Sequence, residues 1–169
     1  TYVGIFMIRL SICIATRNRS KFLVETVKCI LDQITNEVEI VIVDGASTDD
    51  SKAEIESLNQ SSKRLRYFYE DTNSGVDGDF DKSVGYALGK YCWLFSDDDL
   101  LQPNAISSVI NSLKADPQLL VVNSSIHTKY FEKILSYGVL KFHENRSFDG
   151  LGEQAFLELA PYLSFIGAI

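Results

Sequence analysis

An α/β domain, a mostly parallel sheet with helices on both faces, is the fold class this sequence predicts, and three patterns carry the prediction. Short apolar runs rich in β-branched or aromatic residues, such as Ile40-Val41-Ile42-Val43 and Tyr91-Cys92-Trp93-Leu94-Phe95, read as strands buried on both faces. Segments with apolar residues at helical spacing alternate with these runs. Polar clusters follow three of the strands directly, and in a parallel sheet such loops gather on one edge.

In chain order, residues 10–15 form the first strand and lead into polar Thr16-Arg17-Asn18-Arg19-Ser20. Leu23, Val24, Val27, Ile30, Leu31 and Ile34 then mark an amphipathic helix, with Ser20 available as its N-cap. Residues 38–43 are a second buried strand ending at Asp44-Gly45. Residues 48–58 suit a short helix whose first turn carries Asp49 and Asp50, favourable at the positive end of the helix dipole. A third strand covers 65–69. Phe80, Val84, Ala87 and Leu88 predict the packed stripe of the next helix, closed by Gly89 as a C′ residue. The fourth strand, 91–95, runs into Ser96-Asp97-Asp98-Asp99. Pro103 suits the first position of a helix carrying Ile106, Val109, Ile110 and Leu113, and 119–122 reads as a further strand. From 124 to 147 the pattern turns β-rich and breaks at Tyr137-Gly138, as a hairpin or a lid-like excursion would. Asp149 could then cap a helix through Phe156, Leu157 and Leu159 that ends before Pro161.

A chain of 169 residues with 46% hydrophobic and 23% charged residues can bury one ordinary globular core. Its net charge of -7 argues against a general nucleic-acid binder, which would show a basic face. Acidity does not forbid an anionic ligand, because a bound divalent cation reverses the local sign. Cys13, Cys29 and Cys92 lack metal-ligand spacing and are odd in number, so they read as buried free thiols suited to a reducing cytosol. No apolar run is long enough to span a bilayer. Met7 is the only methionine and directly precedes the strand pattern, so residues 1–7 are expected to be a leader or added residues, with Met7 the natural start. The chain stops at Ser164-Phe165-Ile166-Gly167-Ala168-Ile169, which reads as a strand just beginning, and the fold is expected to be truncated at its C-terminus.

Three adjacent carboxylates repel one another unless something cationic sits among them. Mg²⁺ or Mn²⁺ is the natural candidate at Asp97, Asp98 and Asp99, since such ions take oxygen ligands and share coordination with substrate phosphates. A solvated acidic turn ahead of the next helix is the plain alternative. Arg17 and Arg19 are surface solubilisers or a fork for an anion, and Asp44 either stabilises the turn made with Gly45 or accepts from a ligand. Taken together, a cationic wall, a hydrogen-bonding carboxylate and a metal-ready cluster suit a nucleoside diphosphate.

The order and spacing of these pieces resemble family 2 glycosyltransferases of the GT-A (Rossmann-like) fold. The resemblance is carried by Leu10-Ser11-Ile12-Cys13-Ile14-Ala15-Thr16-Arg17-Asn18-Arg19, by Ile40-Val41-Ile42-Val43-Asp44-Gly45-Ala46-Ser47-Thr48-Asp49, and by Asn73-Ser74-Gly75-Val76. It continues through Gly89-Lys90-Tyr91 to Ser96-Asp97-Asp98-Asp99, with Pro103 downstream. Within the family, the stretch from Gly75-Val76-Asp77 to the acidic cluster is similar to abequosyltransferase-like O-antigen enzymes. The resemblance spans about 8–125, implied to be a nucleotide-sugar-binding domain, and leaves 126–169 as the incomplete start of an acceptor-side region.

What the resemblance implies is specific. Thr16, Arg17, Asn18, Arg19, Asp44, Ala46, Ser47, Lys82 and Asp97 would line the nucleotide-sugar site, with Thr16 and Asp44 at the nucleobase and ribose end. Asp98 would be the direct ligand of Mn²⁺ or Mg²⁺, with Asp99 beside it and Asp97 reaching ribose or a metal-bound water. Two departures stand out: Ser96 takes a position that is acidic in the common pattern, and Phe80-Asp81 stands where many members carry Arg-Asn. Diphosphate neutralisation would then fall on the cation, with Lys82 as a helper. The implied reaction moves a sugar from a nucleoside-diphosphate sugar to a hydroxyl of a saccharide or lipid-linked saccharide, with inversion, in O-antigen or capsule synthesis. The implied location is cytoplasmic, at the inner face of the membrane through peripheral association. The resemblance also implies that the general base of relatives lies well beyond the acidic cluster, expected past Ile169; Glu153 is the only nearby carboxylate worth naming, and reads as a helix-surface residue. A nucleotidyltransferase or a dinucleotide-dependent dehydrogenase would place glycines after the first strand, and Ala15-Thr16-Arg17-Asn18-Arg19 has none. A non-catalytic nucleotide-sugar-binding module stays open.

Overall fold

The computed structural model describes residues 7–59, 62–128, 132–136, 146–148, 152, 157–159 and 167–168. They divide after Gln118 into two compact units.

In the first unit, strands β1 (Leu10–Thr16), β2 (Val38–Asp44), β3 (Leu65–Tyr69) and β4 (Tyr91–Leu94) form one sheet. Its order is β3-β2-β1-β4, and every pairing is parallel. β1 and β2 are central and buried along their whole length, which is why they read as apolar runs, interrupted within only at Ser11 and Glu39. Leu10, Ile12, Ile14, Ile40 and Ile42 are fully buried, each contributing about 1.5–3 kcal/mol of transfer free energy. The register sets Leu10 beside Val38 and Thr16 beside Asp44, so the two strands end together. Two polar side chains far apart in sequence thereby become neighbours at the carboxyl edge of the sheet.

Helices α1 (Ser20–Leu31), α2 (Ser51–Asn59), α3 (Gly75–Tyr86) and α4 (Ala105–Ser112) connect and cover the strands. The Thr26 hydroxyl of α1 donates to the Asp97 and Asp99 carbonyls, and Lys52 of α2 lies over the Tyr69 ring. α3 takes the opposite face, where the Cys13 thiol donates to the Ser83 carbonyl and Arg66 to the Tyr86 carbonyl. Helices thus flank the sheet on both faces, as expected.

The ends of the helices differ from expectation in four places. Ser20 is the first residue of α1 and does not cap it; Arg19 holds the N-cap position, and the Ser20 N–H donates to Asp49 Oδ2 at 2.9 Å. Asp49 precedes α2 and also accepts at Oδ1 from the Ser51 N–H and hydroxyl, so one carboxylate serves two helix starts. Pro103 lies in the turn ahead of α4, whose N-cap is Asn104 at φ 65°. Gly89 does not close α3, which ends at Tyr86 with an extended Ala87. Gly89 is required instead for close approach, since a Cβ there would sit 2.7 Å from the Ser11 backbone nitrogen.

The packed stripe of α3 is also different. Val84 is 42% exposed and Leu88 65% exposed, whereas Asp79 and Ser83 are the buried residues of the helix. The reason lies in the sheet face beneath, which carries its own polar groups. Glu39 of β2, 3% exposed, accepts from the Ser11 hydroxyl at 2.7 Å, the Leu88 N–H at 2.6 Å and the Arg66 guanidinium at 3.2 Å. Ser11 Oγ in turn accepts from the Gly89 N–H at 2.9 Å. This network ties the loop between α3 and β4 to the amino edge of the sheet. On the same face the neighbouring Cys13 thiol lowers the Cys92 thiol to about 7 against the effect of burial. Cys13 is buried, as expected, while Cys29 and Cys92 are only partly so.

In the second unit, β5 (Val121–Val122) pairs antiparallel with β8 (Gly167–Ala168), and β6 (Ile126–His127) with β7 (Ile134–Ser136). The β-rich character expected there holds for these residues, and 157–159 are helical. Tyr137-Gly138, Asp149, Glu153, Phe156 and Pro161 lie outside the described residues.

Candidate functional site

Two loops rise side by side from the carboxyl ends of β1 and β2, and each takes one left-handed turn to do so. Asn18 has φ 55° and Ala46 φ 62°, conformations that are uncommon for residues other than glycine and cluster at functional sites. The loops brace one another. The Asn18 N–H donates to Ser47 Oγ at 2.8 Å, the Thr48 N–H returns to Asn18 Oδ1 at 2.7 Å, and the Gly45 N–H donates to the Thr16 carbonyl at 3.0 Å. Asn18 and Ser47 therefore shape the edge of the site through their own hydrogen bonds.

Asp44 ends β2 fully buried. Its Oδ1 accepts from the Ser47 N–H at 2.7 Å and its Oδ2 from the Tyr67 hydroxyl at 2.5 Å. Burial, followed by the Asp44 carboxylate, pushes the Tyr67 phenol well above its ordinary value, which keeps it a donor. Both carboxylate oxygens of Asp44 thus have one protein partner each, and a further donor from a ligand would have to use the second lone pair of one of them.

The third loop follows β4, where the Phe95 N–H still donates to the Cys13 carbonyl at 2.9 Å and carries the ladder one residue further. Asp97 is buried, with its side chain 7% exposed, and accepts from the Thr16 hydroxyl at 2.8 Å. Arg19 reaches Asp97 Oδ1 with Nε at 3.4 Å and pairs with Asp98 Oδ2 through its terminal nitrogen. The Ser96 hydroxyl donates to Asp98 Oδ1. Asp99 is exposed, and its carbonyl accepts from Thr26 at 2.9 Å.

The three acids differ electrically. Burial raises the Asp97 carboxyl above its ordinary range, more than Thr16 and Arg19 lower it. Burial also acts on Asp98, but the Ser96 and Arg19 hydrogen bonds and the Arg19 charge outweigh it and hold that carboxyl low. Asp99 is raised by partial loss of solvent around its carboxyl and then by the charges of Asp98 and Asp97. Among the described residues no three acidic, histidine or cysteine side chains converge on one point. Two adjacent carboxylates at a ligand-binding edge nonetheless fit Mg²⁺ or Mn²⁺, which are held by one or two carboxylates and complete their shell with water and substrate phosphate.

Of the expected site residues, Thr16, Arg19, Asp97 and Asp98 form one hydrogen-bonded cluster, and Asn18, Asp44, Ala46 and Ser47 form the adjoining loop pair. Arg17 is exposed beside them. Lys82 lies on α3, paired with Glu70 at 2.6 Å and 3.9 Å from Asp79.

Two residues escaped the sequence reading. Tyr67 reads as one more apolar strand position; the register sets it beside Ile42, two residues short of Asp44, and its hydroxyl reaches diagonally along the strand to that carboxylate. Asp79 is buried on α3, where its Oδ1 accepts from the Ser74 hydroxyl at 2.5 Å. Its Oδ2 sits 2.3 Å from where a Cβ on Gly45 would be. Gly45 thus leaves the space that lets α3 approach the loop.

Comparison with known proteins bears on the family and the fold. The family model for Glycosyl transferase family 2 matches residues 11–163. A GalNAc(5)-diNAcBac-PP-undecaprenol beta-1,3-glucosyltransferase of Campylobacter jejuni is 30% identical over 105 residues, covering 62% of this chain and 34% of that protein. The abequosyltransferase RfbV of Salmonella typhimurium is 36% identical over 101 residues, covering 58% of this chain and 30% of its own. The chain therefore spans about a third of the length of these relatives. Among solved structures, the mannosyltransferase PcManGT from Pyrobaculum calidifontis, in complex with GDP-Man and Mn²⁺, superposes with a TM-score of 0.62 at 22% identity. That match covers 71% of this chain and 36% of that one, a likeness of fold.

Proposed function

The chain belongs to glycosyl transferase family 2, and on that premise we propose that it serves the transfer of a sugar from a nucleoside diphosphate to an acceptor hydroxyl, with inversion. The observation that carries the reading is the convergence of Thr16, Arg19, Asp97 and Asp98 at the carboxyl edge of the sheet, beside the braced loop that holds Asp44. Thr16 and Asp44 would meet the nucleobase and ribose end, and the Asn18, Ala46 and Ser47 backbone would shape the wall around it. Asp98, with Asp99 beside it, would hold Mn²⁺ or Mg²⁺. That cation, when bound, would polarise the diphosphate and stabilise the charge of the leaving group.

The protein's own groups supply the rest. Arg19 offers a planar fork that matches phosphate oxygens, and Lys82 a second positive charge on α3. Asp97, fixed by Thr16, would orient ribose. Inversion requires a base near the attacking hydroxyl, and no described residue is assigned that role. The name of the Campylobacter relative, a glucosyltransferase acting on a PP-undecaprenol-linked saccharide, supports a saccharide or lipid-linked saccharide as acceptor, and the proposed product is a cell-surface polysaccharide. A site of action at the cytoplasmic face of the membrane accords with three unpaired cysteines. Among the described residues no helix is long and apolar enough to cross a membrane.

Thermal unfolding with UDP and with GDP, each with and without Mn²⁺, tests the donor half. A nucleotide at about 100 times its Kd adds about 2.7 kcal/mol, or roughly 5–10 °C for a chain of this size. Asp98→Ala should abolish the Mn²⁺-dependent part of the shift while the protein remains folded. An undiminished Mn²⁺-dependent shift in that variant would refute the cation assignment. Turnover of a nucleotide sugar then separates a transferase from a module that only binds.

A further inference from the structure

Arg19 occupies the place where the proposed cation would have to bind. All four oxygens of the two carboxylates already have protein partners. Asp97 Oδ2 takes the Thr16 hydroxyl, Asp98 Oδ1 takes the Ser96 hydroxyl, and the remaining oxygen of each faces the Arg19 guanidinium. The hydroxyls are neutral, and each oxygen they touch keeps a second lone pair for another partner. A guanidinium is different, because its full positive charge beside a divalent cation is repelled at any effective dielectric a protein offers.

The two sides of this contact are unequally fixed. Asp97 is buried, and the segment from Asp97 to Asp99 is pinned to α1 through the Thr26 hydroxyl. Arg19 stands at the start of α1 with its side chain 41% exposed, steadied from outside by the Phe22 ring 5.2 Å away. When the contact breaks, it is the arginine that moves.

We propose that Arg19 is an internal stand-in for the divalent cation: it neutralises Asp97 and Asp98 in the ligand-free protein and passes to the donor's diphosphate when the cation takes its place. The inference rests on the reading of Asp98 as a cation ligand given above. A diphosphate arriving at the same edge supplies both what displaces the arginine, a metal-bound anion, and what receives it, paired oxygens in the geometry of its fork. Mn²⁺ should therefore bind the free protein weakly and the nucleotide-bound protein more tightly, and the nucleotide should gain from Mn²⁺ by the same factor. Arg19 is then a positioning residue that couples the two ligands.

The experiment is a Mn²⁺ titration of the full chain followed by the EPR signal of the free ion. It compares wild type, Arg19→Gln and, as a charge control, Lys21→Gln, each with and without UDP and GDP, after thermal melts confirm folding. Arg19→Gln should tighten Mn²⁺ binding to the nucleotide-free protein about five- to tenfold, the scale of one or two half-exposed ion pairs that no longer compete. The factor by which nucleotide improves Mn²⁺ binding should shrink correspondingly. Lys21→Gln, which removes the same charge from an exposed neighbouring position, should change Mn²⁺ affinity by less than about twofold at 0.15 M salt. Mn²⁺ binding that Arg19→Gln leaves unchanged, or that Lys21→Gln tightens equally, would overturn the stand-in role and leave the cation assignment intact. No Mn²⁺ binding to any form, even with nucleotide present, would overturn the cation assignment and this inference with it.

Discussion

Replacing Glu39 by alanine should destabilise the protein by roughly 3–5 kcal/mol, the scale for breaking a buried ion pair from one side. The components can be followed from the structure. Glu39 is 3% exposed and is the acceptor for the Ser11 hydroxyl, the Leu88 N–H and the Arg66 guanidinium. Removing it leaves the Ser11 hydroxyl and the Leu88 N–H unsatisfied, at about 1–3 kcal/mol each where water cannot enter. Arg66 adds less, because its side chain is 32% exposed and still donates to the Tyr86 carbonyl at 2.7 Å. The cost once spent in desolvating the carboxylate returns, which keeps the total at the lower end of the sum. For a chain of this size the loss corresponds to a fall in Tm of roughly 10 °C. Glu39→Gln retains the shape and one acceptor, so it should cost less than half as much. Urea unfolding of both variants supplies the measurement, and UDP or GDP binding by the folded protein should be unchanged, since Glu39 lies at the edge of the sheet opposite the site. A loss below about 1 kcal/mol for alanine, or equal losses for both variants, would show that the network is not what holds the α3–β4 loop.

Asp49→Ala removes the acceptor of the Ser20 N–H and of the Ser51 N–H and hydroxyl, and should cost about 1–2 kcal/mol at pH 7. Burial pushes this carboxyl up, but the bonds from Ser51 and Ser20 prevail and hold it below its ordinary value. Its contribution is therefore complete above the unfolded value of about 3.9 and is lost as pH falls through the lower folded value. A wild-type–mutant difference that persists undiminished in strong acid would contradict this. The Cys92 thiol, lowered to about 7 by the neighbouring Cys13 thiol, should be alkylated by iodoacetamide with a midpoint near that pH, and Cys13→Ala should move the midpoint upward. Peptide mapping that finds Cys92 inert at pH 8, or a midpoint indifferent to Cys13, would refute this effect of the Cys13 thiol.

What could be read from residues alone follows from what each element packs against. β1 and β2 are covered on both faces, so they read as short, mostly apolar runs whose brevity and β-branched content mark strands. The convergence of Thr16, Asp44 and the acidic cluster followed from parallel topology, because those residues end three strands of one sheet. α3 could not be read this way. Phe80, Val84 and Leu88 recur at a helical period, but the helix packs with Asp79 and Ser83 because the sheet beneath presents Ser11, Glu39 and Arg66. A single sequence carries no sign of which polar face meets which. Tyr67 was hidden for a related reason, since its bond to Asp44 depends on register between strands and not on spacing along the chain. Arg19 suits a fork for an anion by residue type, whereas its pairing with Asp97 and Asp98 arises only where two loops distant in sequence meet.

The reciprocal bonds between Asn18, Ser47 and Thr48 make the loops after β1 and β2 a matched pair. Each completes the other's backbone hydrogen bonding, so neither can lengthen by a residue without stranding an N–H on its neighbour. A chimaera that imports only one of the two from a relative of different donor preference would carry a lock without its key. Changing what this edge recognises, whether by laboratory grafting or over generations, therefore calls for moving residues 16–20 and 44–49 as a single cassette.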